Sequence, residues 1–382
     1  MVFTKKEKIN RISLRINDKC NFRCTYCFDH HRDQTNNEMT ERTADDILKY
    51  CKKNNISSVD IPQKEPTASL DILEYIIENF NENGIRVQGI TTNGYNMPLE
   101  LIRLLKKYNM FVLVSYDGIW QDKYRVLADG SSTTDVVEKN ILALKGAGVK
   151  FNIACVITHE EVNRIYENYL YLKQITGGIA FNFDVTSPFK IQKEDIPVIK
   201  HEFTKIASLD LNVFPLGKIY HRLQSGARYK NRMCGAGRGS YCIDYDGTIL
   251  PCYQGAGWRK IGITLGDIYS GLDWKEKQKF YHYDTATPEK CQNCSTALCG
   301  ICYVNSYDVM GNMCMPIPIN CEIFKTLTEI VKNIKIDNKK AVISPSCLVR
   351  RIKRQPPQPI FIGGSSETFL KRKNHKIKKE VI

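Results

Sequence analysis

The sequence predicts an α/β protein built on a parallel sheet, followed by a small cysteine-rich domain and a basic tail. Up to about residue 209, six apolar, β-branched runs alternate with stretches of helical period. Nine of the 15 cysteines fall between Cys234 and Cys321. We therefore divide the chain into a barrel-like domain at 1–209, a linker at 210–233, a cysteine-rich domain at 234–335 and a tail at 336–382.

The predicted strands are Arg11–Asn17, Ser58–Pro62, Val87–Thr92, Phe111–Ser115, Lys150–Thr158 and Ile179–Val185. The helices between them are Thr43–Lys53, Leu70–Asn81, Leu99–Lys107, Val136–Gly146 and Asn163–Gln174, with Thr134 and Asp135 as the expected N-cap of the fourth. A further helix is expected at 323–334. Strands that alternate with helices favour right-handed crossovers, and ligands bind at the carboxyl ends of such strands.

Composition indicates an enzyme of the cytoplasm. No apolar run is long enough to span a membrane, and the N-terminus lacks the features of a secretory signal. In such a chain, cysteines indicate metal ligands and not disulfides. The net charge is +14, but residues 341–382 hold ten Lys or Arg against two Glu, so nucleic-acid binding is not needed to explain it. We expect this tail to be disordered and Cys347 to be a free thiol.

Three cysteines at the end of the first strand carry the strongest chemical signal. Cys20, Cys24 and Cys27 have the spacing C-x3-C-x2-C, with Tyr26 before the last one. Three thiolates can hold a cubane iron–sulfur cluster and leave one iron open. The alternative is a zinc knuckle, which usually pairs C-x2-C units and closes with a fourth ligand.

This pattern resembles the radical S-adenosylmethionine (SAM) superfamily. The resemblance implies a partial (β/α)6 barrel, like a TIM barrel open on one side, and an iron chelated by SAM. Further motifs follow the later strands: Glu65-Pro66, Thr92-Asn93-Gly94, and Ser115-Tyr-Asp-Gly118 with Arg125. By resemblance, the SAM contacts are Tyr26, Lys64, Glu65, Asn93, Ser115 and Arg125.

The loop after the second strand departs from the family. Gln63 and Lys64 stand where relatives carry two glycines, which permit unusual dihedrals and close backbone approach. We expect that Gln63 and Lys64 can still present a backbone carbonyl to SAM if the loop keeps an ordinary backbone conformation.

The cysteine-rich half resembles the SPASM extension of radical SAM peptide maturases. Asp246-Gly247 is typical of a hairpin turn, and Gly247 lies five residues before Cys252. By resemblance, one auxiliary cluster is bound by Cys234, Cys242, Cys252 and Cys302. The other is bound by Cys291, Cys294, Cys299 and Cys321. Cys314 is unassigned and could replace Cys242 or Cys321, and a double zinc module using the same cysteines stays open.

The resemblance implies three [4Fe–4S] clusters, one that binds SAM and two auxiliary. It implies a 5′-deoxyadenosyl radical that abstracts hydrogen from a ribosomal precursor peptide to install a thioether, carbon–carbon or ether crosslink, under anaerobic conditions. A flavodoxin or ferredoxin is the expected electron donor. One alternative is anaerobic sulfatase maturation, Cys or Ser to formylglycine, but relatives of that class carry an acidic residue after Pro-Cys where this chain has Tyr253. The others are a SAM-inactive homologue that binds a peptide or redox partner, and a zinc-based RNA-binding adaptor.

Overall fold

The computed structural model describes residues 11–27, 29, 36–225, 235–285, 288–299 and 301–334. All of these residues belong to one compact unit. The predictions for Cys234, Cys347 and the tail lie outside them. Among the described residues, no helix is both long and apolar enough to cross a membrane.

A parallel sheet organises the first half of the chain. Its first six strands are β1 Arg11–Leu14, β2 Ser58–Ile61, β3 Arg86–Thr92, β4 Phe111–Ser115, β5 Lys150–Ile157 and β6 Ile179–Phe183. They pair in sequence order, and every pair is parallel. The α/β class predicted from alternating patterns is confirmed.

Helices connect these strands. They are α1 Glu41–Lys53, α2 Leu70–Glu82, α3 Leu99–Lys107, α4 Gln121–Tyr124, α5 Thr134–Gly146, α6 Ile165–Ile175, α7 Ile196–Leu209 and α8 Leu216–Gln224. Short 3₁₀ turns lie at Pro66–Ala68, Gly118–Trp120, His159–Arg164 and Lys193–Asp195. In α3, Leu101, Ile102 and Leu105 are buried, so one apolar face packs inward as helical periodicity predicts.

The start of α5 differs from the prediction of an N-cap at Thr134 or Asp135. The helix already begins at Thr134, and its N-cap position is Thr133. The carboxylate of Asp122 in α4 accepts hydrogen bonds from the backbone amides of Thr133 at 2.7 Å and Thr134 at 3.1 Å. A carboxylate from another segment therefore satisfies amides at the start of the helix.

The first elements of the cysteine-rich half extend the same sheet. Strand β7, Ser240–Ile243, pairs in parallel with β1, and β8, Ile249–Leu250, returns antiparallel to β7. Gly247 lies in the turn between them with φ of +87°, a conformation that glycine adopts without strain. The predicted hairpin is confirmed, and it lies beside the first strand of the barrel.

The remaining elements are mostly helical. They are α9 Gly255–Ile261, β9 Gly266–Asp267, β10 Gly271–Leu272, α10 Trp274–Thr285, α11 Glu289–Gln292, α12 Tyr303–Met310 and α13 Pro318–Asn333. Helix α13 begins five residues before the predicted start because Pro318 occupies its first turn, where a missing N–H costs nothing. It packs against α7 and α8.

Candidate metal and cofactor site

The three-cysteine loop, residues 18–29, leaves the carboxyl end of β1, where the sequence placed it. Its turn is fixed by the Cys27 amide, which donates to the Cys24 carbonyl at 3.0 Å. Cys24 is buried, while Cys20 and Cys27 are partly buried. A turn at a strand end therefore carries three thiols that are wholly or partly buried.

Burial and neighbouring charge hold these thiols protonated in the absence of a metal. Burial, with a further effect from Glu65, raises the pKa of Cys20 to about 12. Burial also raises the pKa of Cys24 to about 12 although Arg125 opposes it, and Cys27 and Cys20 add to the rise. Cys27 raises the pKa of both other thiols and Cys20 raises that of Cys24, so the three lie within electrostatic range of one another. Metal binding at this site would therefore release protons.

The donor set consists of three thiols, the number that a cubane cluster with one open iron requires. Within the described ranges, no three His, Cys, Asp or Glu side chains are placed to hold one metal ion together. A cubane cluster needs no such convergence, since each thiolate binds a different iron. Gln63 is also buried, and its Nε2 donates no hydrogen bond to any described residue. An unpaired buried donor beside the loop fits an acceptor group on a bound ligand.

Arg125 and Tyr26 both contact Asp117, and Arg125 also lies near the Cys24 sulfur. The Arg125 Nε lies 3.0 Å from the Asp117 carboxylate, and one Nη lies 4.0 Å from the Cys24 sulfur. The Tyr26 hydroxyl donates to the same Asp117 carboxylate, and the guanidinium lies 5.3 Å from the centre of the Tyr26 ring. Asp117, which the sequence analysis did not single out, thus orients two of the predicted SAM contacts.

Glu65 joins the ends of β2 and β3. Its buried carboxylate accepts from the backbone amide of Asn93 at 2.6 Å and from the hydroxyls of Thr92 and Thr67 at 2.7 and 2.8 Å. Burial raises its pKa in spite of these donors. The Asn93 side chain in turn donates to Asn21 inside the three-cysteine loop at 2.7 Å. Glu65 and Asn93 therefore connect three strand ends.

Ser115 occupies the expected place at the end of β4, paired in register with Ala154 of β5. The hydrogen bonds described above for Glu65, Asn93, Tyr26 and Arg125 do not include it. The structure thus places these four predicted SAM contacts around the three-cysteine loop and leaves Ser115 at the strand end.

The loop after β2 contradicts the expectation of an ordinary backbone. Lys64 has φ of +55°, in the left-handed region that favours glycine. Its side chain is buried, and its ammonium lies 3.0 Å from Asp18 and 3.0 Å from Asp29. Gln63 accepts a hydrogen bond from the Gly255 amide in α9 at 3.1 Å. Lysine therefore keeps the glycine-like dihedral of this loop and adds two ionic contacts.

A buried chain of charges joins the three-cysteine loop to the β7–β8 hairpin. Arg15 donates to Asp18 and makes two hydrogen bonds to Asp244, at 2.9 and 3.0 Å. Asp244 also lies 2.7 Å from the Nε of Arg259. The sequence analysis missed this chain because it assigned Arg15 to a strand, and because 229 residues separate it from Asp244.

Electrostatic contacts link some of the described thiols within each predicted auxiliary set. Burial raises the pKa of Cys299 to about 11, and Cys321, Cys291 and Cys294 add to the rise. The other three thiols of this predicted set thus lie within electrostatic range of Cys299. In the other set, Cys252 adds to the rise in the pKa of Cys242, for which burial is the main cause.

Two polar side chains contact the cysteines of this second set. The indole N–H of Trp258 donates to the Cys252 sulfur at 3.0 Å, and the amide of Gln254 donates to the Cys302 sulfur at 3.4 Å. Hydrogen bonds to sulfur tune the reduction potential of iron–sulfur centres. In the sequence, the only signal for Trp258 and Gln254 is that they lie close to Cys252 along the chain. Many other residues do so too, and the signal therefore does not single these two out.

The residues after Pro251-Cys252 present no acid. Tyr253 is exposed and Gln254 is buried. Tyr241 in β7 is buried, and its hydroxyl donates to the Arg238 carbonyl. Tyr241 is thus a core aromatic.

Known proteins resemble this chain in sequence and in fold. The family model of the radical SAM superfamily matches residues 14–170. A GTP 3′,8-cyclase of Alkaliphilus oremlandii is 31% identical over 159 residues, 39% of this chain, and the matched part spans about half of that enzyme, 48%. The radical SAM cyclopropyl synthase TigE of Paramaledivibacter caminithermalis is 22% identical over 84% of this chain and 73% of its own length.

A cysteine-type anaerobic sulfatase-maturating enzyme of Clostridium perfringens is 22% identical over 72% of this chain and 83% of its own length. Native anSMEcpe with bound AdoMet and Cp18Cys peptide has the same fold, with a TM-score of 0.71 and 19% identity over 84% of this chain and 96% of its own. Streptococcus suis SuiB bound to precursor peptide SuiA aligns with a TM-score of 0.60 and 19% identity over 82% and 76% of the two chains. Residues 14–170 therefore match the radical SAM family model, as the cysteine spacing predicted, and the chain shares the fold of these two structures.

Proposed function

We propose that this protein is a radical SAM peptide maturase that installs a crosslink in a ribosomally made peptide. The observation that carries the proposal is the three-cysteine loop at the end of β1, held beside Arg125 and the joined ends of β2 and β3. Two structural neighbours support a peptide substrate, since one is named with a bound Cp18Cys peptide and the other with the precursor peptide SuiA.

The chain would hold its cofactors as follows. Cys20, Cys24 and Cys27 would bind a [4Fe–4S] cluster, and SAM would bind at its open iron. With electrons from a flavodoxin or ferredoxin, this pair supplies a 5′-deoxyadenosyl radical for hydrogen abstraction. Arg125 places a permanent positive charge beside Cys24, and its pairing with Asp117 fixes the orientation of that charge.

The same side chains would order the SAM site. Tyr26 is fixed by its hydrogen bond to Asp117, so its ring presents a rigid face. The Glu65 carboxylate accepts hydrogen bonds from Thr67, Thr92 and Asn93. Backbone groups of the loop would therefore be the ones that bind a ligand. Burial of these groups keeps water away from a radical.

Two auxiliary [4Fe–4S] clusters would lie in the C-terminal half. The group of Cys291, Cys294, Cys299 and Cys321 supports one of them. The other would use Cys242, Cys252 and Cys302 together with Cys234, which lies outside the described residues. Both would be fully ligated, which suits electron transfer.

Crosslinking is favoured over sulfatase maturation by one position. Sulfatase maturases carry an acid after Pro-Cys as the proposed base, and here Tyr253 and Gln254 follow Cys252. Neither side chain is a carboxylate that takes a proton near neutral pH. A sulfatase-maturating activity stays the second candidate because a named relative covers 72% of the chain.

The test is SAM cleavage by anaerobically reconstituted protein under a strong reductant, with 5′-deoxyadenosine followed by mass and iron counted on the same sample. We expect deoxyadenosine and about twelve irons per chain for three cubane clusters. Cys24→Ala should abolish deoxyadenosine. Cys51→Ala is the matched control, since Cys51 is an equally buried thiol in α1, and it should retain the product.

Full iron without deoxyadenosine, even with candidate peptides present, would favour a homologue that binds peptide without cleaving SAM. Zinc in place of iron would overturn the proposal. If deoxyadenosine forms, conversion of a sulfatase peptide to formylglycine, in place of a crosslinked precursor, would select the second candidate.

A further inference from the structure

Lys64 combines two features that rarely occur together. Its φ of +55° lies in the left-handed region, where a side chain costs free energy that glycine avoids. Yet the side chain is only 3% exposed, and the two carboxylates that pair with its ammonium, those of Asp18 and Asp29, are also buried. A strained backbone that persists must be held by its surroundings, and here the side chain supplies the contacts.

These contacts lie at the two ends of the three-cysteine loop. Asp18 is two residues before Cys20, and Asp29 is two residues after Cys27. The Lys64 ammonium lies 3.0 Å from an oxygen of each. One cation therefore bridges the start and the finish of the loop. Burial disfavours the ammonium form, but Asp29 and Asp18 outweigh it and raise the pKa of Lys64, so the bridge is charged.

The bridge also connects to the C-terminal half. Asp18 accepts from Arg15, which binds Asp244 at the end of β7. On the other side of the loop, Gln63 accepts from the Gly255 amide at the start of α9. The segment Gln63-Lys64 thus contacts the loop that carries the cysteines and the helix that follows Cys252.

We propose that Lys64 is a positioning residue that closes the three-cysteine loop by pairing with Asp18 and Asp29, and so holds the cysteines in place for their cluster. The loop after β2 then acts through a side chain as well as through its backbone. This inference rests on the proposed function for the role of the cysteines, but the closure itself is a property of the metal-free chain.

The test measures how fast Cys20, Cys24 and Cys27 are alkylated in the full-length, metal-free protein, by mass spectrometry of the peptides. We expect Lys64→Met and Lys64→Gly to raise this rate at least about tenfold, because removal of one partner from a buried ion pair favours local opening. On reconstitution both variants should lose about four irons per chain, those of one cluster, and keep the rest.

Lys64→Gly is the decisive variant, since glycine keeps the backbone conformation and removes only the bridge. If it is alkylated at the wild-type rate, Lys64 serves the backbone alone and the proposal is wrong. Lys49→Met removes a lysine that is 76% exposed and paired with Asp46, and it should match wild type. A faster rate in that control would mean that loss of any lysine suffices, which would also overturn the proposal.

Asp29→Asn approaches the bridge from the other side and guards against misfolding of a Lys64 variant. It should accelerate alkylation by itself, and the Lys64→Met/Asp29→Asn double variant should be no faster than the quicker single variant. Additive rates would refute the bridge. Absence of deoxyadenosine from the wild-type protein would remove the proposed function, but it would leave the alkylation comparison intact.

Discussion

Replacement of Arg15 by methionine should destabilise the protein strongly. Arg15 is buried, and its guanidinium makes hydrogen bonds to Asp244 at 2.9 and 3.0 Å and one to Asp18. It also lies 5.4 Å from the centre of the Tyr245 ring. Methionine fills similar volume, so the change removes charge and hydrogen bonds with little loss of packing.

The expected loss of stability depends on which partners the carboxylates of Asp244 and Asp18 retain after Arg15 is replaced. Removal of one partner from a buried ion pair costs about 3–5 kcal/mol, because a charge is left without compensation. Here Asp244 keeps Arg259 at 2.7 Å, and Asp18 keeps Lys64 at 3.0 Å. We therefore expect a loss near the lower end, about 3 kcal/mol in the free energy of unfolding.

Urea unfolding followed by circular dichroism measures this loss. With a slope of about 3 kcal/mol per molar, the midpoint should fall by about 1 M. Asp244→Asn should also destabilise, and the double variant should lose less than the sum by about 1–3 kcal/mol, since the two residues form one network. Arg103→Met is the control, because Arg103 and its partner Glu100 are both 64% exposed, and it should change stability by under about 0.5 kcal/mol.

The reasoning would be refuted if Arg15→Met unfolds with a free energy within about 1 kcal/mol of wild type. Strict additivity with Asp244→Asn would refute it as well, since the two side chains could not then act together.

Two further predictions concern a sulfur contact and a surface carboxylate. Trp258→Phe removes the N–H that donates to Cys252 at 3.0 Å but keeps an aromatic ring in the same place. We expect the reduction potential of a C-terminal cluster to change, in redox titrations followed by electron paramagnetic resonance, while deoxyadenosine forms as in wild type. An unchanged potential would contradict the contact. The hydrogen bond from Lys19, with a second from Ser69, lowers the pKa of Glu38. A lowered folded-state pKa gives stability that is fully present above the unfolded value of about 4.3 and is lost as pH falls through the folded value below it. In urea midpoints taken across pH, Glu38→Gln should therefore be less stable than wild type near pH 7, with a difference that shrinks below about pH 4.3 and vanishes below the folded pKa. A constant difference would refute the pairing.

Local patterns in the sequence predict the six parallel strands within a few residues because each strand is a short run rich in apolar and β-branched residues. Placement of the three-cysteine loop at the end of β1 follows from the same pattern. Strand partners are harder, since β7 pairs with β1 across more than two hundred intervening residues and periodicity carries no signal for that contact.

The charge chain was missed for the same reason. The sequence pattern predicts only a strand residue at Arg15, because its contact with Asp244 is not visible in the sequence. At Lys64 it shows only the loss of a glycine, because the contacts with Asp18 and Asp29 are not visible either. A positive φ cannot be inferred for lysine, because most left-handed positions carry glycine or asparagine.

The pairing of β7 with β1 has a consequence for any shortened form of the chain. In the whole protein, the outer side of β1 is covered by four paired residues of β7, Ser240–Ile243. A fragment that ended after the six parallel strands would expose the backbone amides and carbonyls of β1 to solvent. Unprotected strand edges recruit other chains, so such a fragment would aggregate, and the C-terminal half serves the barrel as a folding partner as well as a carrier of cysteines.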